Sequence, residues 1–401
     1  MEAENQEPLA TQNQLNKTPK SWLVFLIIGI VGVLGGVACL LVALLAPKEI
    51  LPDLEFPTIP STTSVTKIYS NLTGLEIASE ADKTAPAYCI QTPNGTDGAR
   101  PQVGLTEAGV VFEAIAEVGI TRFAAIYQKP TSAVIGPIRS LRIYYLQWDT
   151  PFDCAIVHAG GSDDAIAAVR SGGYKDLTEN YTYMYRGGYG RLWNNLFTTS
   201  QYLAQVSEDW EFGSSNIKGF NRMTPEESKK SRIDDNATNR LIITKPTTES
   251  TSAMSFAATD INVYFGGSPT FNVNYQYNQQ SNSYDRWYEN GDAHEVYQCP
   301  AEDLGEPTPE EVCSLTQLSP AVVVVMLVEE WKAEDGYHED IAAIGSGEAY
   351  VFQNGNVVHG TWNKSTWEDQ IKFFDETGNE IKLAPGQTFV EAVPDYGGVE
   401  Y

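Results

Sequence analysis

Residues 109–127 read GVVFEAIAEVGITRFAAIY, two apolar runs rich in β-branched and aromatic residues, 109–117 and 120–127, joined only by Val118-Gly119. So short a join predicts two strands linked by a tight turn. Further along, after Gly136-Pro137, RSLRIYYLQW (139–148) spaces its apolar residues as a helix does. CAIVHAGG (154–161) predicts another strand. Ser162 then stands at the N-cap of SDDAIAAVRSGG, with Asp163 and Asp164 in the first turn and Gly172 at the end. The sum is a strand, glycine turn, helix unit.

Upstream, residues 22–46 run WLVFLIIGIVGVLGGVACLLVALLA without a charged side chain, long enough to cross about 30 Å of hydrocarbon as a helix. Lys17 and Lys20 before it place the tail, 1–21, in the cytoplasm by the positive-inside rule. The expectation is a single-pass protein of the cell membrane with its folded part outside. Residues 47–67, with Pro47, Pro52, Pro57 and Pro60, predict an extended linker. Residues 68–254 then form an α+β domain. A stretch rich in Ser, Thr, Asn and Lys interrupts the pattern before 255, and a mainly antiparallel β domain occupies 255–401, from INVYF (261–265) to TFVEAV (388–393). Asn354-Gly355 is the strongest hairpin signal.

The 401 residues are 42% hydrophobic, enough for packed cores, and carry a net charge of −26, which repels phosphate backbones and argues against a nucleic-acid partner. No phosphate-binding loop, nucleophile elbow, zincin or paired-cysteine motif is present, and no cofactor or metal is called for. Cys39 lies in the apolar run. Of the other four, Cys299 and Cys313 bracket a Pro- and Glu-rich loop and are the disulfide candidate, whereas Cys89 and Cys154 read equally well as buried thiols.

Arginine is scarce, yet Arg122, Arg139 and Arg142 precede His158 and the Gly160-Gly161-Ser162 turn at a helix start, a grouping suited to phosphate or carboxylate. The alternative pairs Arg139 and Arg142 with acids such as Glu113 and Glu117, satisfies His158 at a strand end and leaves Ser162 as a cap. Those two carboxylates, four apart on one strand, would face one side and could serve as an acid/base pair. EDGYHED (334–340) has cation-ligating residue types, although so polar a loop is usually only solvated, and YTYMYRGGYGRLW (181–193) is either a sugar-stacking platform or a packed surface loop.

LTGLE at 72, RPQVGLTEAGVVFEAIAEVGITRFAAIYQ at 100, IGPIRSLR at 135, HAGGS at 158, NNLFTTS at 194, YDRWYENG at 284, GSGEAYVFQNGNVVHGTWNK at 345 and LAPGQTF at 383 together resemble the YerB-like family of bacterial extracytoplasmic proteins. The resemblance implies a fold and a location from about 68 to 395 but carries no established activity. It also implies a His where this chain has Asn194, and a lipid on a cysteine as the usual anchor. The function expected is binding of an anionic envelope glycan, peptidoglycan or lipid-linked group. The alternatives are an envelope hydrolase or transferase, with Arg139 and Arg142 on the anion and His158 or Glu113 as acid or base, and a structural partner of another membrane protein.

Overall fold

Val118 and Gly119 both take positive φ, 48° and 77°, the backbone that a two-residue hairpin needs to match strand twist. They join β2 (Val110–Glu117) to β3 (Ile120–Gln128), as the sequence predicts. In the computed structural model, residues 67–187, 193–233 and 255–401 are described. The apolar run 22–46, the tail before it, nearly all of the linker and the residues just before 255 lie outside them.

The hairpin sits inside an eleven-stranded sheet. Its other strands are β1 (Ala87–Pro93), β4 (Ala155–His158), β5 (Lys175–Thr178), β6 (Ser255–Ala257), β7 (Val322–Val328), β8 (Gly345–Gln353), β9 (Asn356–Lys364), β10 (Lys372–Asp375) and β11 (Thr388–Pro394). The order is β6-β9-β8-β7-β11-β2-β3-β1-β4-β5, with β10 beside β9. β8 and β9 turn at Asn354-Gly355, both at positive φ. β11 enters between β7 and β2, parallel to both, with Val390 opposite Val324 on one side and Phe112 on the other. These three central strands are almost wholly buried, and their near-continuous apolar sequences are what strands covered on both faces require. Strands from either side of residue 254 therefore share one sheet, within a single compact unit of residues 66–401.

One face carries α1 (Ile143–Asp149) and α2 (Asp163–Ser171), with Trp148 stacked on Phe112 at 5.3 Å between ring centres. The other carries α3 (Ser200–Asp209) and a four-stranded sheet of Asp260–Tyr264, Val273–Asn278, Ser283–Tyr288 and Gly398–Glu400. Ile261, Val263 and Tyr275 of that second sheet pack on Val323, Val325 and Phe352. The result is α+β with a mixed, mainly β core. Cys89 is bonded to Cys154 and Cys299 to Cys313, with Cα separations of 5.7 and 4.2 Å.

Candidate functional site

The register of β2 and β3 slips between Ile115 and Glu117. Such a bulge turns the following side chain to the other face, so Glu113 and Glu117 do not share a side as the strand period suggests. Glu117 turns toward α1 and takes two arginines: Arg122 donates to its Oε1 at 2.7 Å and Arg142 to its Oε2 at 2.6 Å. Both guanidiniums are almost fully buried, and burial lowers Arg122 to about 10. Burial works to raise the Glu117 carboxyl, but the two arginines outweigh it and hold it below the usual carboxylate range. Two cations against one anion leave one positive charge here. Arg122 and Arg142 are further tied to the carbonyls of Ser140 and Leu141, so neither is available to a ligand as a whole.

Arg139 differs. The Nε of all three arginines is buried without a partner, but among the described residues the Arg139 guanidinium has no hydrogen bond or ion pair at all, where the other two have both. Arg139 lines a cavity of about 600 Å³ with Asn94, Asp97, Glu117, Thr121, the Glu117-bound Arg122, Asn194 and the rims of Trp193 and Tyr337, a volume ordinary for a small-molecule site. Asn194 is 1% exposed. Its amide donates to the carbonyl and Oδ1 of Asp97 at 3.3 and 3.1 Å, and its own Oδ1 is buried with no partner among the described residues. A buried acceptor left unsatisfied costs about 1–3 kcal/mol unless something else donates to it.

The rest of the expected grouping is elsewhere. His158 is buried with both ring nitrogens engaged, Nδ1 with the Gly160 carbonyl at 2.7 Å and Nε2 with Asp176 at 2.8 Å. Gly160 sits at φ 72° and its carbonyl accepts from the Leu141 amide. Gly161 pairs with Leu141. Ser162 holds the N-cap position, yet its hydroxyl caps nothing. None of these four lines the Arg139 cavity. They brace the chain at 139–142 from behind, which corrects the expectation that they converge with Arg139 on an anion.

Beneath the cavity lies a sealed polar cluster. Glu113 and Arg286 are paired, each 0% exposed. Arg286 also bonds to Tyr275, 2.9 Å away, and to His294, and Glu391 of β11 lies beside Glu113 across the strand pair. Burial, then the neighbouring Glu113 carboxylate, drives the Glu391 carboxyl well above its ordinary range. His294 is pushed far down by burial and by Arg286, so it stays neutral and its Nε2 donates to Gln102. Asn94 connects the cluster to the cavity, donating to Glu113 and Thr121 and accepting from Arg100 and Gln102. The sequence reading missed Asn94, Asp97, Arg286 and His294. The signals were a polar, glycine-containing NGTDGAR (94–100) immediately after a strand, and an arginine amid the aromatics of YDRWYENG.

At the other end of the cavity, Glu330–Lys332 and Glu339–Ile341 form a hairpin that carries Tyr337 to the rim and pairs His338 with Glu117. Its EDGYHED tip closes on itself, His338 bonding to Asp335. Among the described residues no three His, Cys, Asp or Glu side chains are gathered as a metal would need. Glu330, near Glu339 and Asp395, is raised to about 7, chiefly by burial.

Two family models match, described as the N-terminal and C-terminal domains of a protein of unknown function, DUF3048, over residues 72–212 and 261–390. "Putative lipoprotein YerB" of Bacillus subtilis (strain 168) is 25% identical over 341 residues, 84% of this chain and 89% of that protein. The crystal structure of YerB from Bacillus subtilis superposes with a TM-score of 0.63 at 21% identity, covering 84% of this chain and all of that one, a likeness of fold. The relative's name corrects the expectation of a single-pass protein with a cytoplasmic N-terminus, since a lipoprotein is held by its lipid and needs no spanning helix. Among the described residues no helix is long and apolar enough to cross a membrane. The longest, α3, has ten residues and reaches only about 15 Å, half the hydrocarbon thickness.

Proposed function

We propose that this chain, which belongs to the DUF3048 family and carries its two domains in order, is a binding protein of the bacterial cell envelope whose Arg139 cavity takes an anionic envelope component. One observation carries the reading: a guanidinium without a hydrogen bond or ion pair among the described residues, facing a cavity beside a buried cluster of net positive charge, in a chain whose overall charge is −26. A structural arginine this covered would be expected to have an acid or carbonyl of its own, as Arg122 and Arg142 do. Two disulfides fit an oxidising compartment. The competing reading, an envelope hydrolase or transferase, lacks comparable support, because His158 has no free nitrogen and Glu113 is sealed under the cavity floor.

The test is calorimetric titration of the full chain with muramidase-released cell-wall fragments. Arg139→Gln weakens binding by about 1.5–3 kcal/mol, the worth of a hydrogen bond to a charged group, with unfolding unchanged. Equal binding by the variant, or none by either protein, overturns the proposal.

A further inference from the structure

Arg139 accounts for a negative charge, but the cavity offers more than a counter-ion needs. Asn194 is 1% exposed and presents an unpartnered carbonyl oxygen. Asp97, which holds the Asn194 amide, adds a carboxylate. A bare carboxylate has no proton to give them, inorganic phosphate has a hydroxyl but no ring to lie on the rim, and a carboxylate wall repels both. What satisfies these acceptors is a hydroxyl donor on the same ligand as the anion. The rim supplies the third element, since Trp193 and Tyr337 are 57% and 53% exposed, amphipathic rings of the kind on which the apolar face of a sugar lies. The loop bearing Asp97 is fixed in advance, because Asn94 is tied to Glu113, Thr121, Arg100 and Gln102, so little ordering is left for the ligand to impose.

Resting on the reading of Arg139 as an anion site, we infer that the cavity is specific for an anion-bearing sugar: carboxylate or phosphate on Arg139, ring hydroxyls donating to Asn194 Oδ1 and Asp97, and the ring face against Trp193 and Tyr337. Uronic acids and sugar phosphates share this chemistry, and a panel of probes separates them.

Dissociation constants for the full chain are measured by ligand-observed NMR with D-glucuronate, D-galacturonate, glucose 6-phosphate, acetate, inorganic phosphate and glucose. At least one sugar acid or sugar phosphate binds ten-fold or more tightly than its bare anion and than glucose. Trp193→Ala, at an exposed position, removes most of that margin and leaves the weak binding of the bare anion. Asn194→Ala, with its melting temperature checked, acts the same way, and Arg139→Gln abolishes both. The inference is overturned if no sugar-borne anion outbinds its bare counterpart, or if Trp193→Ala leaves the margin intact. In either case an Arg139-dependent affinity for bare anions would leave the proposed function standing, whereas absence of any Arg139-dependent binding removes both.

Discussion

Glu113 and Glu117 lie four residues apart on β2, and each is met by arginine, yet their surroundings give them different roles. Glu113 faces Arg286 with both side chains fully enclosed, and Tyr275, His294, Asn94 and Thr121 occupy the remaining bonding capacity. Around Glu117 two guanidiniums share one carboxylate, and a third, Arg139, is left over at the edge of a cavity. A closed set of partners is a structural feature; an excess of one sign next to open space is a binding feature. Identity and sequence spacing do not distinguish the two cases, but the partner count does.

The comparison breaks most readily at its buried end. Arg286→Met leaves Glu113 as an unpaired buried charge and should cost about 3–5 kcal/mol, read by chemical denaturation. A loss below 1 kcal/mol would mean the cluster is not the closed unit described. Arg142→Met removes one of two cations from Glu117 and leaves Arg122 in place, so the cost should be smaller, about 1–3 kcal/mol. Among the described residues Arg139→Met removes no hydrogen bond or ion pair and should stay within about 0.5 kcal/mol of the parent. If Arg139→Met is as costly as Arg142→Met, the guanidinium has a structural partner and the contrast fails.

Two smaller effects sharpen the picture at the cavity edge. Val118 is β-branched and sits at φ 48°, a left-handed backbone that costs such a residue about 1 kcal/mol or more. Val118→Asn should therefore stabilise by about 1 kcal/mol, measured by thermal unfolding; no gain would show the turn to be unstrained. At the hairpin base, the Glu330 carboxyl is raised to about 7, first by burial. The neutral acid is the form the fold prefers, so its contribution is full below the ordinary carboxylate range near 4.5 and is lost as pH rises through about 7. Glu330→Gln should flatten that part of the stability-versus-pH curve, and an unchanged slope between pH 5 and 7.5 would contradict the assignment.

The sequence was most informative where local chemistry sets the backbone. The Val118-Gly119 and Asn354-Gly355 turns, the helix after Ser162 and the strands around them follow from residue type alone. The apolar runs 110–117, 322–328 and 388–394 read as strands but not as neighbours, because β11 reaches β2 across most of the chain, and no period in the sequence encodes that pairing. The site was half legible. Scarcity of arginine singled out 122, 139 and 142, but a one-residue bulge, invisible in composition, set Glu117 against 122 and 142. Nothing in the sequence joined Asn194 to Asp97, since their significance lies in contact across 97 residues. The run 22–46 reads as a span by its apolarity alone and lies outside the described residues, whereas the Bacillus relative is named as a lipoprotein.

The central claim is that, of the three arginines, 139 alone is available to a ligand. Phenylglyoxal labelling of the native full chain, mapped by mass spectrometry, tests it directly. Arg139 should be modified well before Arg122 or Arg142, and the sugar acid or sugar phosphate that binds most tightly should protect it. Equal labelling of all three, or an Arg139 that resists the reagent, would contradict the account.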